Sequence, residues 1–106
     1  MAVIYTSGVW KPKPGEEDEF VAAWTEFARW GSGLDGAGPF RLLHDLREEG
    51  RFVSIAPWES MEAVRGWKDS PDFKSRMSRV QEHVAEFSPT ELEVVATVEG
   101  GSVESG

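Results

Sequence analysis

The sequence predicts one α+β domain of the ferredoxin-like kind, β-α-β-β-α-β, with a four-stranded antiparallel sheet and its helices on one face. Three observations carry this expectation. Stretches rich in β-branched and aromatic residues alternate with helical patterns in that order. The middle two stretches are separated only by Glu48-Glu49-Gly50, a hairpin turn in which Gly50 can take a positive φ. The helical patterns are one-sided, so each needs a sheet to cover.

Val3 to Trp10 is the first strand. Val3, Tyr5, Ser7 and Val9 share one face, and Ile4, Thr6, Gly8 and Trp10 the other. Lys11-Pro12-Lys13-Pro14-Gly15 should break it, because proline supplies no ladder donor. The acidic run Glu16 to Glu19 suits a helix start, where negative charge meets the positive end of the dipole. Phe20, Ala23, Trp24, Phe27 and Ala28 then form an apolar stripe on a helix from Glu16 to Trp30. Gly31 to Pro39 contains four glycines and reads as a connector or a mobile lid.

The second strand is Phe40 to Arg47. Phe40, Leu42, His44 and Leu46 share one face, and Arg41, Leu43, Asp45 and Arg47 the other. The third, Phe52 to Trp58, runs straight into a short helix. Ser60 is its cap, and Met61, Val64 and Trp67 are its stripe. Ser70-Pro71 opens another helix with Ser as cap and Pro at the first position. Phe73, Met77, Val80 and Val84 are its apolar face, and Glu91 to Val98 is the last strand. Residues 1–99 form the domain, and residues 100–106 are expected to be a disordered tail.

The chain has 106 residues, enough for one domain with a real core. A net charge of −8 repels phosphates and anionic lipids, so neither nucleic acid nor membrane is an expected partner. No apolar run is long enough to span a bilayer, and no charged-then-apolar leader is visible, so a cytoplasmic location is expected. With no cysteines, disulfides, thiolate metal sites and cysteine nucleophiles are excluded. The strands, above all the first and third, carry apolar groups on both faces. A second copy packed sheet to sheet would bury the uncovered face, which predicts a two-fold homodimer.

Zinc-protease, dinucleotide-fingerprint and hydrolase-elbow motifs are missing, and the two histidines have no suitably spaced carboxylates, so no metal site is expected. Five tryptophans are compatible with a dense core, a dimer interface or a pocket for a flat apolar ligand. In the pocket reading the walls are Trp24, Phe27, Trp58, Trp67, Phe73 and Met77. His44 sits on an otherwise apolar strand face and is the candidate base; the alternative is a core or interface histidine bonded to a carbonyl. His44 and Asp45 point to opposite faces and cannot form a dyad. His83 is expected to face solvent. Tyr5 is expected in the core or an interface.

Lys13-Pro-Gly-Glu-Glu-Asp-Glu-Phe20, Gly38-Pro39-Phe40 and Arg51-Phe-Val-x-x-x-x-Trp-Glu-Ser60 resemble the antibiotic biosynthesis monooxygenase family of the dimeric α/β-barrel superfamily, over residues 2 to 98. Many members have Pro-Gly-aromatic where this chain has Gly-Pro-Phe. Some relatives oxidise aromatic polyketides to quinones with oxygen and no cofactor; others degrade haem. The haem-degrading pattern of asparagine, tryptophan and histidine is met only by Trp67, with Gly8 and Met77 at the other positions, so haem degradation is not expected. The resemblance implies a cofactor-independent monooxygenase for a planar aromatic, polyketide or quinol substrate; among this chain's residues His44 would be the base, and Arg41, Arg76 or the indole nitrogens the oxyanion donors. The alternatives are a non-catalytic ligand-binding or accessory dimer, and a polyketide cyclase or isomerase, on the same fold.

Overall fold

Alternation in residues 4–12 builds the central strand. The structure is a computed structural model describing residues 3–104. In it β1 (Ile4–Pro12) pairs antiparallel with β3 (Phe52–Trp58) on one side and β4 (Val84–Glu93) on the other, and β2 (Arg41–His44) pairs with the far edge of β3. The order β2-β3-β1-β4 is the ferredoxin-like sheet. The covering helices are α1 (Glu17–Gly31), α2 (Met61–Lys68) and α3 (Pro71–Gln81). None is long and apolar enough to cross a membrane among the described residues.

The register assigns each sheet face. Thr6, Gly8 and Trp10 lie opposite Ala56, Ser54 and Phe52 and look toward the helices. Phe20, Trp24 and Phe27 of α1, Val64 and Trp67 of α2, and Met77 and Val80 of α3 close over them, all at most 9 % exposed. Tyr5, Ser7 and Val9, opposite Pro57, Ile55 and Val53, form the other face, which no element among the described residues covers. Ser60 Oγ accepts the Ala63 amide at 3.1 Å and Ser70 Oγ the Phe73 amide at 3.2 Å, so both predicted caps start their helices.

Several boundaries differ from the expectation. β1 continues through Lys11 and Pro12, with a register shift between them, because a proline at the end of a strand forfeits no ladder bond. β2 ends at His44. There Asp45 Oδ1 accepts the amides of Arg47 (2.8 Å) and Glu48 (3.2 Å), and Arg51 Nη1 donates to Oδ2 at 3.0 Å. This side-chain turn shapes the hairpin, and Gly50 keeps a negative φ. α3 stops at Gln81, and Val84 begins β4 instead of closing the helical stripe. The last sheet strand is therefore Val84–Glu93, not residues 91–98. It is an edge strand, held by backbone pairing to β1, so it tolerates Pro89 and a polar sequence.

The tail also differs. Thr97–Glu99 and Ser102–Glu104 form strands β5 and β6 of a separate hairpin, where disorder was expected beyond residue 99. Gly100 and Gly101 have φ of 58° and 87°, the pair of left-handed residues that a two-residue hairpin turn requires. Residues 105–106 of the expected tail lie outside the described ones. The glycine-rich loop is tied down, with Gly38 N–H bonded to the Pro57 carbonyl (2.8 Å) and Glu59 N–H to that of Gly36 (2.9 Å).

Candidate functional site

Between the sheet and the three helices lies an apolar cavity of about 240 Å³. Thr6 and Trp10 of β1, Ser54 and Ala56 of β3, and Phe40 before β2 line it from the sheet. Trp24, Phe27, Trp67, Phe73 and Met77 line it from the helices. Lys68, Gln81, Phe87 and Pro89 also border it. Two glycines make the walls possible. A Cβ on Gly8 would lie 2.6 Å from Phe87 Cε1, and one on Gly31 would lie 2.8 Å from the Phe40 ring. Each aromatic lies over bare backbone.

Ser60 starts α2 so that Trp67, two turns on, faces inward. Its ring stacks on Trp58 (centroids 4.9 Å) and meets Phe40, Phe73 and Phe27 edge-on or tilted at 5.6, 5.0 and 5.8 Å. Such pairs hold a ring in one orientation. The polar atoms nearby are mostly satisfied. Trp10 Nε1 donates to Ser54 Oγ (2.9 Å) and Trp58 Nε1 to Thr6 Oγ1 (3.0 Å). Trp67 Nε1 is the exception: it is buried and makes no hydrogen bond to any described residue. A buried N–H without an acceptor costs on the order of 1–3 kcal/mol.

The sequence-predicted site residues divide. Trp24, Phe27, Trp67, Phe73 and Met77 border the cavity. Trp58 does not. It is only 2 % exposed and stands behind Trp67 as a support, bonded to Thr6. The expected base is elsewhere too. His44 does face the helix side of the sheet, but at the exposed end of β2. There it stacks on Phe52 (4.7 Å) and donates Nε2–H to the Glu49 carbonyl (2.6 Å). Arg41 pairs with Ile55 on the opposite sheet face. Arg76 sits over Trp30, 5.0 Å from its ring centre, outside the cavity. The three catalytic candidates therefore do not converge. His83 is part-buried rather than solvent-facing, with Nδ1 2.9 Å from Glu16 Oε1, and Tyr5 lies half-buried on the uncovered sheet face.

Trp10, Phe40, Phe87 and Lys68 were not expected in the site. Trp10 was readable, since it shares the strand face of Thr6 and Gly8. Phe87 was hidden by the misplaced last strand. Lys68 is the one ionisable side chain bordering the cavity among the described residues, and its Nζ lies 3.0 Å from Glu91 Oε2. The carboxyl held below its ordinary range is remote from the cavity: Asp45, lowered first by the Arg47 amide and then by the Arg51 guanidinium. No three His, Asp or Glu side chains among the described residues are arranged to hold a metal. The arrangement can therefore enclose a flat ring and exclude water from it, with an unpartnered indole N–H packed within its wall.

Known proteins share this fold. SnoaB, a cofactor-independent oxygenase from Streptomyces nogalater, superimposes with a TM-score of 0.74 at 18 % identity, covering 86 % of this chain and 90 % of its own. A candidate antibiotic biosynthesis monooxygenase from Deinococcus radiodurans reaches 0.80 at 14 % identity, covering 91 % and 96 %. A Mycobacterium tuberculosis protein reaches 0.74 at 18 %, covering 94 % and 99 %. At these identities the likeness establishes the fold. No curated protein matches the chain. Residues 4–79 match the family described as antibiotic biosynthesis monooxygenase, and the chain belongs to that family.

Proposed function

We propose that the chain is a monooxygenase that oxidises a planar, electron-rich phenol or enol with molecular oxygen inside the aromatic cavity, without a cofactor. The observation that carries this reading is the largely apolar, aromatic-walled cavity, with the unpartnered indole N–H of Trp67 packed in its wall. An anthrone-type substrate loses a proton to become an enolate, and the Trp67 N–H bonds the oxyanion. The carbanion form passes an electron to oxygen, and recombination makes a C–O bond as a hydroperoxide. Loss of water then breaks the O–O bond, so CH₂ and O₂ become C=O and H₂O. The family membership and the likeness to a cofactor-independent oxygenase support the reaction class.

The test is oxygen uptake with a panel of anthrones and naphthols, followed together with quinone absorbance. Trp67→Phe keeps an aromatic wall and removes the donor. It should lower kcat on the order of tenfold to a hundredfold with a smaller change in KM. Unchanged kcat in a folded variant would sink the assignment. One observation favours a second reading: no carboxylate or imidazole borders the cavity among the described residues, so enolate formation must draw on the substrate's own acidity. A non-catalytic binding or accessory protein needs no base at all. Saturable quenching of tryptophan emission without oxygen uptake would select it.

The protein is further proposed to work as a two-fold dimer through the uncovered sheet face. Tyr5, Val9, Val53 and Ile55 are half-buried there, and Leu43 and Leu92 are 47 % and 50 % exposed. Light scattering that gives one chain per particle at micromolar concentration would refute it.

A further inference from the structure

We infer that the ligand of this cavity carries a carboxylate, and that Lys68 at the cavity mouth reads it. The inference rests on the reading of the cavity as a substrate site and adds the substrate's charge to it.

Lys68 combines two positions. Its side chain borders the apolar cavity, and it also borders a groove that shares Lys68, Phe73, Met77 and Gln81 with the cavity and continues past Lys74 along α3. The Lys68 and Glu91 side chains are 32 % and 40 % exposed, which puts their ion pair at the opening. A cavity of about 240 Å³ is below the ~300–1,000 Å³ typical of sites for drug-sized ligands. It therefore fits the rings, and a substituent on those rings leaves past Lys68.

The charge of that substituent follows from the surroundings. The chain carries −8 overall and repels anions in general. A lysine at the mouth places a cation where the ligand emerges, offset by Glu91 beside it and by Glu82 on the groove, and its long stem packs on the apolar wall while the ammonium stays in reach of water. The ammonium has three donors and Glu91 engages it from one side, so a ligand carboxylate can join on another. Glu91 positions Lys68 and also opposes the incoming anion. This predicts opposite signs for the two substitutions, which a purely structural ion pair would not produce.

The experiment measures tryptophan quenching by 1-hydroxy-2-naphthoate and by its methyl ester, which replaces the charge with one methyl group. The wild type should bind the acid about fivefold more tightly, the effect of a part-exposed charge pair of ~1 kcal/mol. Lys68→Gln should bring the acid-to-ester ratio to about one, Lys68→Arg should keep it, and Glu91→Gln should raise it several-fold. Near-UV circular dichroism confirms that each variant is folded. If Lys68→Gln does not fold, Glu91→Gln decides alone. Quenching by both probes with equal affinity in the wild type, or a ratio unmoved by Lys68→Gln, overturns the role of Lys68 and leaves the cavity as a substrate site. No quenching by either probe overturns both readings.

Discussion

Gly8→Ala tests how the cavity wall is assembled. The new Cβ would sit 2.6 Å from Phe87 Cε1, 3.2 Å from Trp10 Nε1 and 3.3 Å from Ser54 Oγ, against 3.4–4 Å for ordinary contact. The Phe87 ring must therefore withdraw by roughly 1 Å or swing away, which ends its stacking on Trp10 at 3.8 Å. Losing that pair costs about 1 kcal/mol, and squeezing the Trp10–Ser54 hydrogen bond adds a similar strain, so the variant should lose about 2 kcal/mol. With an m-value of about 1.2 kcal/mol/M for a domain of this size, the urea midpoint falls by ~1.7 M. In a Phe87→Ala background only the contacts with Trp10 and Ser54 remain, so there Gly8→Ala should cost about 1 kcal/mol. The cycle should thus return a coupling of about 1 kcal/mol. Costs that simply add to within ~0.5 kcal/mol would refute the claim that Gly8 exists to seat Phe87.

Two further outcomes concern the loops. Gly36→Ala meets both a φ of +85° and a Cβ contact of 2.8 Å with Ala63 Cβ, so it should cost about 2 kcal/mol and lower Tm by roughly 10 °C; a shift under about 3 °C would show that the loop relaxes freely. Asp45 has its folded-state pKa lowered, so its contribution to stability is present above the unfolded value of 3.8 and is lost as pH falls through the lowered folded value. Asp45→Asn keeps an acceptor for the turn but removes the charge. Its urea midpoint should decline less steeply than that of the wild type below about pH 4, and parallel curves would exclude the linkage.

The β3–α2 unit was legible because local and global signals agree there. Phe52 to Trp58 is dense in strand formers, Ser60 supplies the cap, and the spacing of Val64 and Trp67 points both residues inward. β4 was not legible because nothing in its own composition makes it a strand. Glu86, Ser88 and Thr90 are polar residues on an edge, paired by backbone to β1, whereas Val94, Ala96 and Val98 show the apolar alternation without joining the sheet. That error concealed Phe87. His44 shows a different limit. Its strand face was read correctly, since it pairs with Phe52 on the helix side, but a face does not say how far along the strand a cavity extends. Trp58 and Trp67 were equally conspicuous in sequence. Only the packing separates the support behind from the ring that borders the cavity.

The stacking of Trp58 on Trp67 has an optical consequence. Two indoles 4.9 Å apart and inclined by 29° are close enough for their excited states to mix, and such mixing produces a paired positive and negative band in circular dichroism. One ring of the pair is sealed in the core and the other borders the cavity, so the first is a fixed reference and the second a reporter. A guest that tilts or polarises Trp67 alters the couplet while the rest of the spectrum stays put. The wall that would hold the substrate thus also signals when it is filled, with no added label.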